Sequence, residues 1–274
     1  MTDQYAVIGN PVAHSKSPLI HAQFARQTGE PVAYGTLYAE IPEFESAVQR
    51  FRDEGGRGLN VTVPFKHRAY ASSTRRSARA EQARAVNTLA FDGGEVAGDN
   101  TDGVGLVRDL TQNLGCTLRA RRVLLMGAGG ASYGVCGPLL EAEPSMLVIV
   151  NRTSAKAVEL CAHFTRLFPR AAGLSCARYE ALEGGSFDVV INATSAGLAD
   201  SLPPLPSGVF APDALAYEMM YGRTTPFMDF AQREGARVAD GLGMLVEQAA
   251  ESFHIWRGVR PQTTPVIALL RGEG

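Results

Sequence analysis

Residues 121–132 read RRVLLMGAGGAS, an apolar strand-like run that passes without a spacer into a glycine-rich turn and then into a helical segment, YGVCGPLLEA. No other stretch narrows the possible folds as much. Gly127 suits the tight turn after a strand, Gly129 lets backbone come close to a pyrophosphate, and the N–H groups that open the following helix suit its charge. A glycine loop carries weight only between a strand and a helix, and both flanks are present here. The third glycine position of the fingerprint holds Ser132, which asks helix and strand to sit slightly further apart.

The same alternation of short apolar runs and longer helical segments extends in both directions and predicts parallel β-α-β units. After residue 121, MLVIVNRT, FDVVINATSAG and DALAYEMMY read as further strands with helices between them. Before residue 90, YAVIGN, GTLYAEI and GLNVTVPF read as strands. A helix over residues 18–29 ends at Gly29, and another runs through Phe44, Ala47, Val48 and Phe51, giving about three β-α repeats. GLGMLVEQAAESFHIWRG is strongly helical and is expected to return to the first half. Hinges are expected near residues 103–120 and 237–241, dividing the chain into 1–103, completed by 241–274, and 104–240.

Composition excludes several classes of function. The chain has 274 residues, 45% hydrophobic and 20% charged, with a formal net charge of −2, which is ordinary for a globular protein of two modest domains. Arg75, Arg76, Arg79 and Arg84 are expected to form a solvated helix face, because no aromatic residues interleave with them for base stacking. No nucleic-acid partner is expected. Cys116, Cys136, Cys161 and Cys176 show no C-x-x-C pair and no nearby histidines at metal-ligand spacing, so no metal site is expected and reduced thiols in a cytoplasmic setting fit best. No apolar run approaches the roughly 18 residues needed to cross a bilayer, and the N-terminus lacks a signal pattern.

The strand MLVIV leads into NRTSAK, residues 151–156. A site for NAD usually carries Asp or Glu near this point to accept from the ribose 2′-hydroxyl. Here Arg152 and Lys156 accompany neutral Asn151 and Thr153, which favours a 2′-phosphate and therefore NADP. Asn151 or Thr153 also suits a helix N-cap.

Polar residues cluster at strand ends in the first half: Ser15 and Ser17 in GNPVAHSKSP, Asn60 and Thr62 in NVTVPFK, Asn87 in AVNT, and Asp102 in GDNTDGVG. Taken singly, each is a turn or cap residue. In order and spacing, together with GAGGAS, NRTSAK, INATSAG, YEMMYGRTTP and GLGMLVEQA, they give a sequence that resembles the shikimate dehydrogenases over nearly its whole length.

The resemblance implies an α/β fold of two domains. Residues 1–103, completed by C-terminal helices from 241–274, would hold shikimate or 3-dehydroshikimate. Residues 104–240 would be a Rossmann-type, doubly wound parallel-sheet domain for NADP, with hydride passing in the cleft between the two. It implies Lys66 and Asp102 as the catalytic pair and Ser15 and Ser17 as hydroxyl donors to the substrate carboxylate. Thr62, Asn87, Tyr221 and Gln248 would surround the ring. For the cofactor it implies Gly127, Ala128, Gly129, Gly130 and Ala131 at the pyrophosphate, and Asn151, Arg152, Thr153 and Lys156 at the adenosine ribose phosphate. Ala193, Thr194 and Ser195 would lie between, with Met219 and Gly241 at the nicotinamide end. A monomer or homodimer is expected.

The chemistry suits the pair. Oxidising a secondary alcohol requires a group to take the hydroxyl proton as hydride leaves, and reduction requires its return to the carbonyl oxygen. A lysine either takes part in that transfer or stabilises the developing alkoxide by charge and hydrogen bonding, so the division of labour with Asp102 stays open. The alternatives are a quinate/shikimate dehydrogenase of broader specificity and a non-catalytic ligand-binding relative. Two positions depart from the family pattern: Arg84 stands where many relatives have glycine, and Glu218 replaces a frequent aspartate.

Overall fold

The computed structural model describes residues 2–171, 173–194, 196 and 200–272. The chain divides into two compact units, residues 1–105 with 245–274, and residues 106–244.

In the first unit the chain runs β1 (Asp3–Gly9), α1 (Ser17–Thr28), β2 (Val32–Tyr38), α2 (Phe44–Asp53), β3 (Gly56–Val61), α3 (Lys66–Ser72), β4 (Arg75–Arg76), α4 (Ala78–Ala83), β5 (Thr88–Asp92), β6 (Glu95–Asp99) and α5 (Asp102–Arg108). Their sheet has the order β2-β1-β3-β5-β6-β4. β1 pairs in parallel with β2 and β3, but β5 is antiparallel to both β3 and β6. The three β-α repeats expected before residue 90 are present as β1-α1, β2-α2 and β3-α3, and the sheet is then extended by the β5-β6 hairpin, turned at Gly93 and Gly94, both at positive φ. β2 also starts earlier than the run GTLYAEI suggests, because Asp3 to Gly9 set its register residue by residue.

Local chemistry explains the boundaries. Pro18 opens α1, and Gly29 closes it at φ 71°, donating its N–H to the Ala25 carbonyl. β3 stops before Pro64, which has no N–H to donate to a sheet. α2 presents Phe44, Ala47 and Val48 to Ile8, Leu59 and Val61. The arginine cluster differs from expectation. Arg79 is mostly buried, with its guanidinium on Asp99 at 2.8 Å and on Glu251 at 2.9 Å, so it is an interior tie and not part of a solvated face. Arg84 caps α4 in the left-handed region at φ 49°, a conformation that glycine adopts without cost and that accounts for glycine in relatives.

The second unit continues with β7 (Arg122–Met126), α6 (Gly130–Glu141), β8 (Met146–Val150), α7 (Ser154–Leu167), β9 (Leu174–Ala177), β10 (Phe187–Asn192), β11 (Phe210–Glu218), α8 (Pro226–Arg233) and β12 (Arg237–Asp240). The sheet is parallel throughout, in the order β12-β11-β10-β7-β8-β9, a doubly wound arrangement whose order reverses between β7 and β10. Along β7, Val123 and Leu125 enter one core while Leu124 and Met126 enter the other, so both faces are buried and the strand reads as one continuous apolar run.

α9 (Leu242–Arg257) and α10 (Thr264–Arg271) end the chain. From Leu245 onward they complete the first unit, where Val246, Ala249, Ala250, Phe253 and Val266 close over Ile20 and Phe24 of α1. Trp256 donates its indole N–H to the Leu89 carbonyl at 2.9 Å. A side chain at Gly58 would collide with that indole.

Candidate active site

In the first unit the candidate residues gather where strands end. The Asn10 N–H donates to the Val63 carbonyl at 3.1 Å and the Thr62 N–H to the Ile8 carbonyl at 3.0 Å, which ties together the loops leaving β1 and β3. Gly9 makes this approach possible, since a Cβ there would lie 2.4 Å from the Thr62 methyl. Ser15 lies in the loop after β1, and Ser17 is the first residue of α1. Ser15 Oγ accepts the Ser17 N–H at 3.3 Å, which is also the work of a helix cap.

Lys66 begins α3 and Asp102 begins α5. Lys66 Nζ donates to Asp102 Oδ2 at 2.6 Å, with the lysine side chain about a quarter exposed and the carboxylate largely buried. Asn87, 3% exposed, donates from Nδ2 to Asp102 Oδ1 at 2.8 Å and to Thr101 Oγ1 at 2.9 Å. Gln248 Oε1 lies 3.3 Å from the same amide nitrogen, placing α9 against this group. Lys66, Asp102, Asn87 and Gln248 therefore form one connected cluster; Thr62 and Ser15, on the neighbouring loops, and Ser17, at the start of α1, are not hydrogen-bonded to it directly. Tyr221 belongs to the second unit, in the loop after β11, where burial raises its pKa.

In the second unit the strand register aligns the candidate cofactor residues. Val150, Met126, Asn192, Glu218 and Asp240 are successive partners across β8, β7, β10, β11 and β12. The residues that follow them consequently share the carboxyl edge of the sheet, where ligands of such sheets bind. Gly127, Ala128 and Gly129 turn from β7, with Gly130 and Ala131 in the first turn of α6. Asn151, Arg152 and Thr153 follow β8, and Lys156 lies in the first turn of α7. Ala193 and Thr194 follow β10, Met219 follows β11 and Gly241 follows β12. Ser195 lies outside the described residues.

The glycine turn fits a phosphate-bearing group. Gly127 has φ 110°, and a Cβ on it would meet the Ala193 carbonyl at 2.9 Å, whereas the space beside Gly129 is open. Ser132 is fully buried against this turn and its Oγ has no hydrogen-bond partner. Arg152 and Lys156 are exposed. Asn151 Nδ2 donates to the Thr153 carbonyl at 2.9 Å, and neither Asn151 nor Thr153 caps α7 with its side chain.

Buried polar residues behind the carboxyl edge of the second sheet shape its loops. Glu218, fully buried, accepts from Asn192 Nδ2 at 2.7 Å, Thr225 Oγ1 at 3.0 Å and the Met220 N–H at 3.1 Å, while burial pushes its pKa up. Asn192 in turn accepts from the Thr194 hydroxyl at 2.7 Å and so shapes the loop after β10. In the first unit, Asn60 is hydrogen-bonded to Tyr34, Thr88 and Ser252.

Comparison with known proteins covers the whole chain. Residues 7–89 match the shikimate dehydrogenase substrate binding domain, 109–199 the shikimate/quinate 5-dehydrogenase family, and 241–271 the shikimate 5'-dehydrogenase C-terminal domain. The NADP(+) shikimate dehydrogenase of Nitrosospira multiformis is 59% identical, with 100% of this chain and 98% of that protein aligned. That of Methylobacillus flagellatus is also 59% identical, over 98% and 99%. Among solved structures, an Ael1 enzyme from Pseudomonas putida is 52% identical with a TM-score of 0.92, covering 98% of each chain. Shikimate 5-dehydrogenase from Thermus thermophilus, solved in complex with NADP(H) and shikimate, is 30% identical with a TM-score of 0.87 over 100% of each chain.

Proposed function

Because the chain belongs to the shikimate dehydrogenase family, we propose that it catalyses the reversible, NADP-dependent reduction of 3-dehydroshikimate to shikimate, with Lys66 and Asp102 as the catalytic pair. The observation that carries the reading is the 2.6 Å contact between Lys66 Nζ and Asp102 Oδ2, beside the loops that bear Ser15, Ser17 and Thr62. An ammonium has three N–H groups, so the one given to Asp102 leaves two for a substrate oxygen. Asp102 and Asn87 keep Lys66 aimed, and positioned charge of this kind stabilises an alkoxide as it develops. The pair takes the hydroxyl proton during oxidation and returns it to the carbonyl oxygen during reduction.

Ser15 and Ser17 are assigned to the substrate carboxylate and Thr62, Asn87, Tyr221 and Gln248 to the ring and its hydroxyls. NADP would be held by the turn from Gly127 to Ala131 and by the residues from Asn151 to Lys156, with Ala193, Thr194, Ser195, Met219 and Gly241 completing its site. When bound, it supplies or accepts the hydride. The test is an assay of reduced nicotinamide absorbance with shikimate and quinate, each offered with NADP+ and NAD+, on the wild type, Lys66→Ala and Asp102→Asn. Activity with shikimate and NADP+ is expected, and each substitution should cost roughly 10² to 10⁴ in kcat with little change in NADP+ affinity. Single variants at the wild-type rate would remove the pair from the mechanism.

A further inference from the structure

Behind Asn87 lies a chain of buried hydrogen bonds whose direction is set by groups that can only give or only accept. Asn60 Nδ2 faces the Asn87 backbone carbonyl at 3.3 Å, so its amide oxygen points the other way, where it takes the Tyr34 hydroxyl at 2.7 Å. Asn87 is oriented by the same logic. The Thr101 backbone N–H donates to Asn87 Oδ1 at 2.9 Å, which leaves Nδ2 turned toward Asp102. Between the two amides sits Thr88, 1% exposed. Its Oγ1 is 3.2 Å from Asn60 Nδ2, 2.9 Å from Asn87 Oδ1 and 2.8 Å from Ser252 Oγ of α9. A hydroxyl has one hydrogen to give. The Asn60 nitrogen cannot accept it, so Thr88 takes from Asn60; Asn87 Oδ1, which has no hydrogen of its own, and Ser252 Oγ, which gives its own to the Gln248 carbonyl at 3.0 Å, are the two acceptors within its reach.

We infer that Thr88 is a positioning residue for the dehydrogenation, holding the Asn87 amide in the one orientation that puts its nitrogen on Asp102. This rests on the reading of Lys66 and Asp102 as the catalytic pair. The opposite amide orientation would set Asn87 Oδ1 against the Asp102 carboxylate and Nδ2 against the Thr101 N–H, two repulsive contacts in place of two attractive ones. A Thr88 hydrogen placed on Asn87 Oδ1 adds a third donor-acceptor match in the productive orientation. It also satisfies the Asn60 amide, which is 6% exposed.

The test is Thr88→Val and Thr88→Ser, each made alone and in the Asp102→Asn background, with Lys66→Ala measured alongside. Thr88→Val removes the hydroxyl at nearly constant volume and should lower kcat about tenfold, the size of one buried hydrogen bond. KM for NADP+ should stay within about twofold, and Thr88→Ser should restore kcat to within about twofold, as expected for a role carried by the hydroxyl. With Asp102→Asn present, Thr88→Val should cost less than about twofold, because its effect runs through that carboxylate. Should Thr88→Val fail to fold, Thr88→Ala is read in the same way. Wild-type kcat in the folded variant, or an undiminished loss in the Asp102→Asn background, would overturn the role. An active Lys66→Ala would instead overturn the pair on which it rests, while an inactive Lys66→Ala beside an unaffected Thr88→Val would sink the role of Thr88 alone.

Discussion

His21 is fully buried, and its imidazole lies flat on Tyr34 with ring centroids 4.1 Å apart. Burial drops its pKa from 6.5 to about 3. A depressed folded pKa contributes stability that is present above the unfolded value and is lost as pH falls from 6.5 toward about 3, by up to about 1.4 kcal/mol per pH unit. His21→Phe keeps a flat ring on Tyr34 and removes the titration. Between pH 7 and pH 5, the wild type should therefore lose about 2 kcal/mol more unfolding free energy in urea than the variant; equal losses would show that His21 is not the proton site. A second residue-scale prediction concerns Arg152. If it faces the 2′-phosphate, NADP+ should exceed NAD+ by at least about tenfold in kcat/KM, and Arg152→Ala should erase most of the margin, as expected for a charge-assisted contact of about 1.5 to 3 kcal/mol. A wild-type enzyme indifferent to the two cofactors would contradict that reading of the loop.

Among elements, the ties between α4, β6 and α9 are read most directly in ion pairs of unequal burial. Arg79 joins Asp99 and Glu251, whose carboxylates are 16% and 10% exposed, while Glu251 also holds Arg260. Arg75 pairs with Glu95 at 3.4 Å where both side chains are more than half exposed. Breaking a buried pair strands a charge and costs about 3 to 5 kcal/mol, whereas an exposed pair contributes about 0 to 1. Arg79→Ala should cost about 2 kcal/mol, below the buried range because Asp99 keeps Ser77 and the Asn100 N–H. Arg75→Ala should cost less than about 0.5 kcal/mol. Chemical denaturation of both distinguishes the cases, and comparable losses would mean that burial does not set the strength of these ties. This difference was not legible in the run of arginines, since Arg75 in β4 and Arg79 in α4 carry the same charge in the sequence whether or not a distant carboxylate comes to meet them.

At the scale of the whole molecule, the chain leaves its first unit, builds a complete parallel sheet, and returns with α9 and α10. Every described residue assigned to NADP lies within 106–244, whereas Gln248 and the cover over Ile20 and Phe24 come from the return. A chain stopped after Met244 should therefore keep NADP+ binding by titration and lose shikimate binding. Retained shikimate affinity would show that the C-terminal helices are dispensable to that site. Four strands of the second sheet, β7, β8, β10 and β11, were legible in the sequence, because each strand, glycine turn and helix is specified by neighbours within about a dozen residues and by burial of both sheet faces, whereas the four-residue edge strands β9 and β12 are too short to show a pattern of their own. Lys66, Asp102 and Asn87 were marked as candidates through the family resemblance that NVTVPFK, AVNT and GDNTDGVG carry. Only the tertiary structure decided the antiparallel hairpin beyond β3, the burial of Arg79, and the chain from Tyr34 through Asn60 and Thr88 to Asp102. Asn60 meets Thr88 across 28 residues and Ser252 across 192. A lone buried hydroxyl or amide leaves no periodic trace along the chain, and its partner is chosen by packing in three dimensions, where the cost of an unmade hydrogen bond selects among the few groups brought within reach.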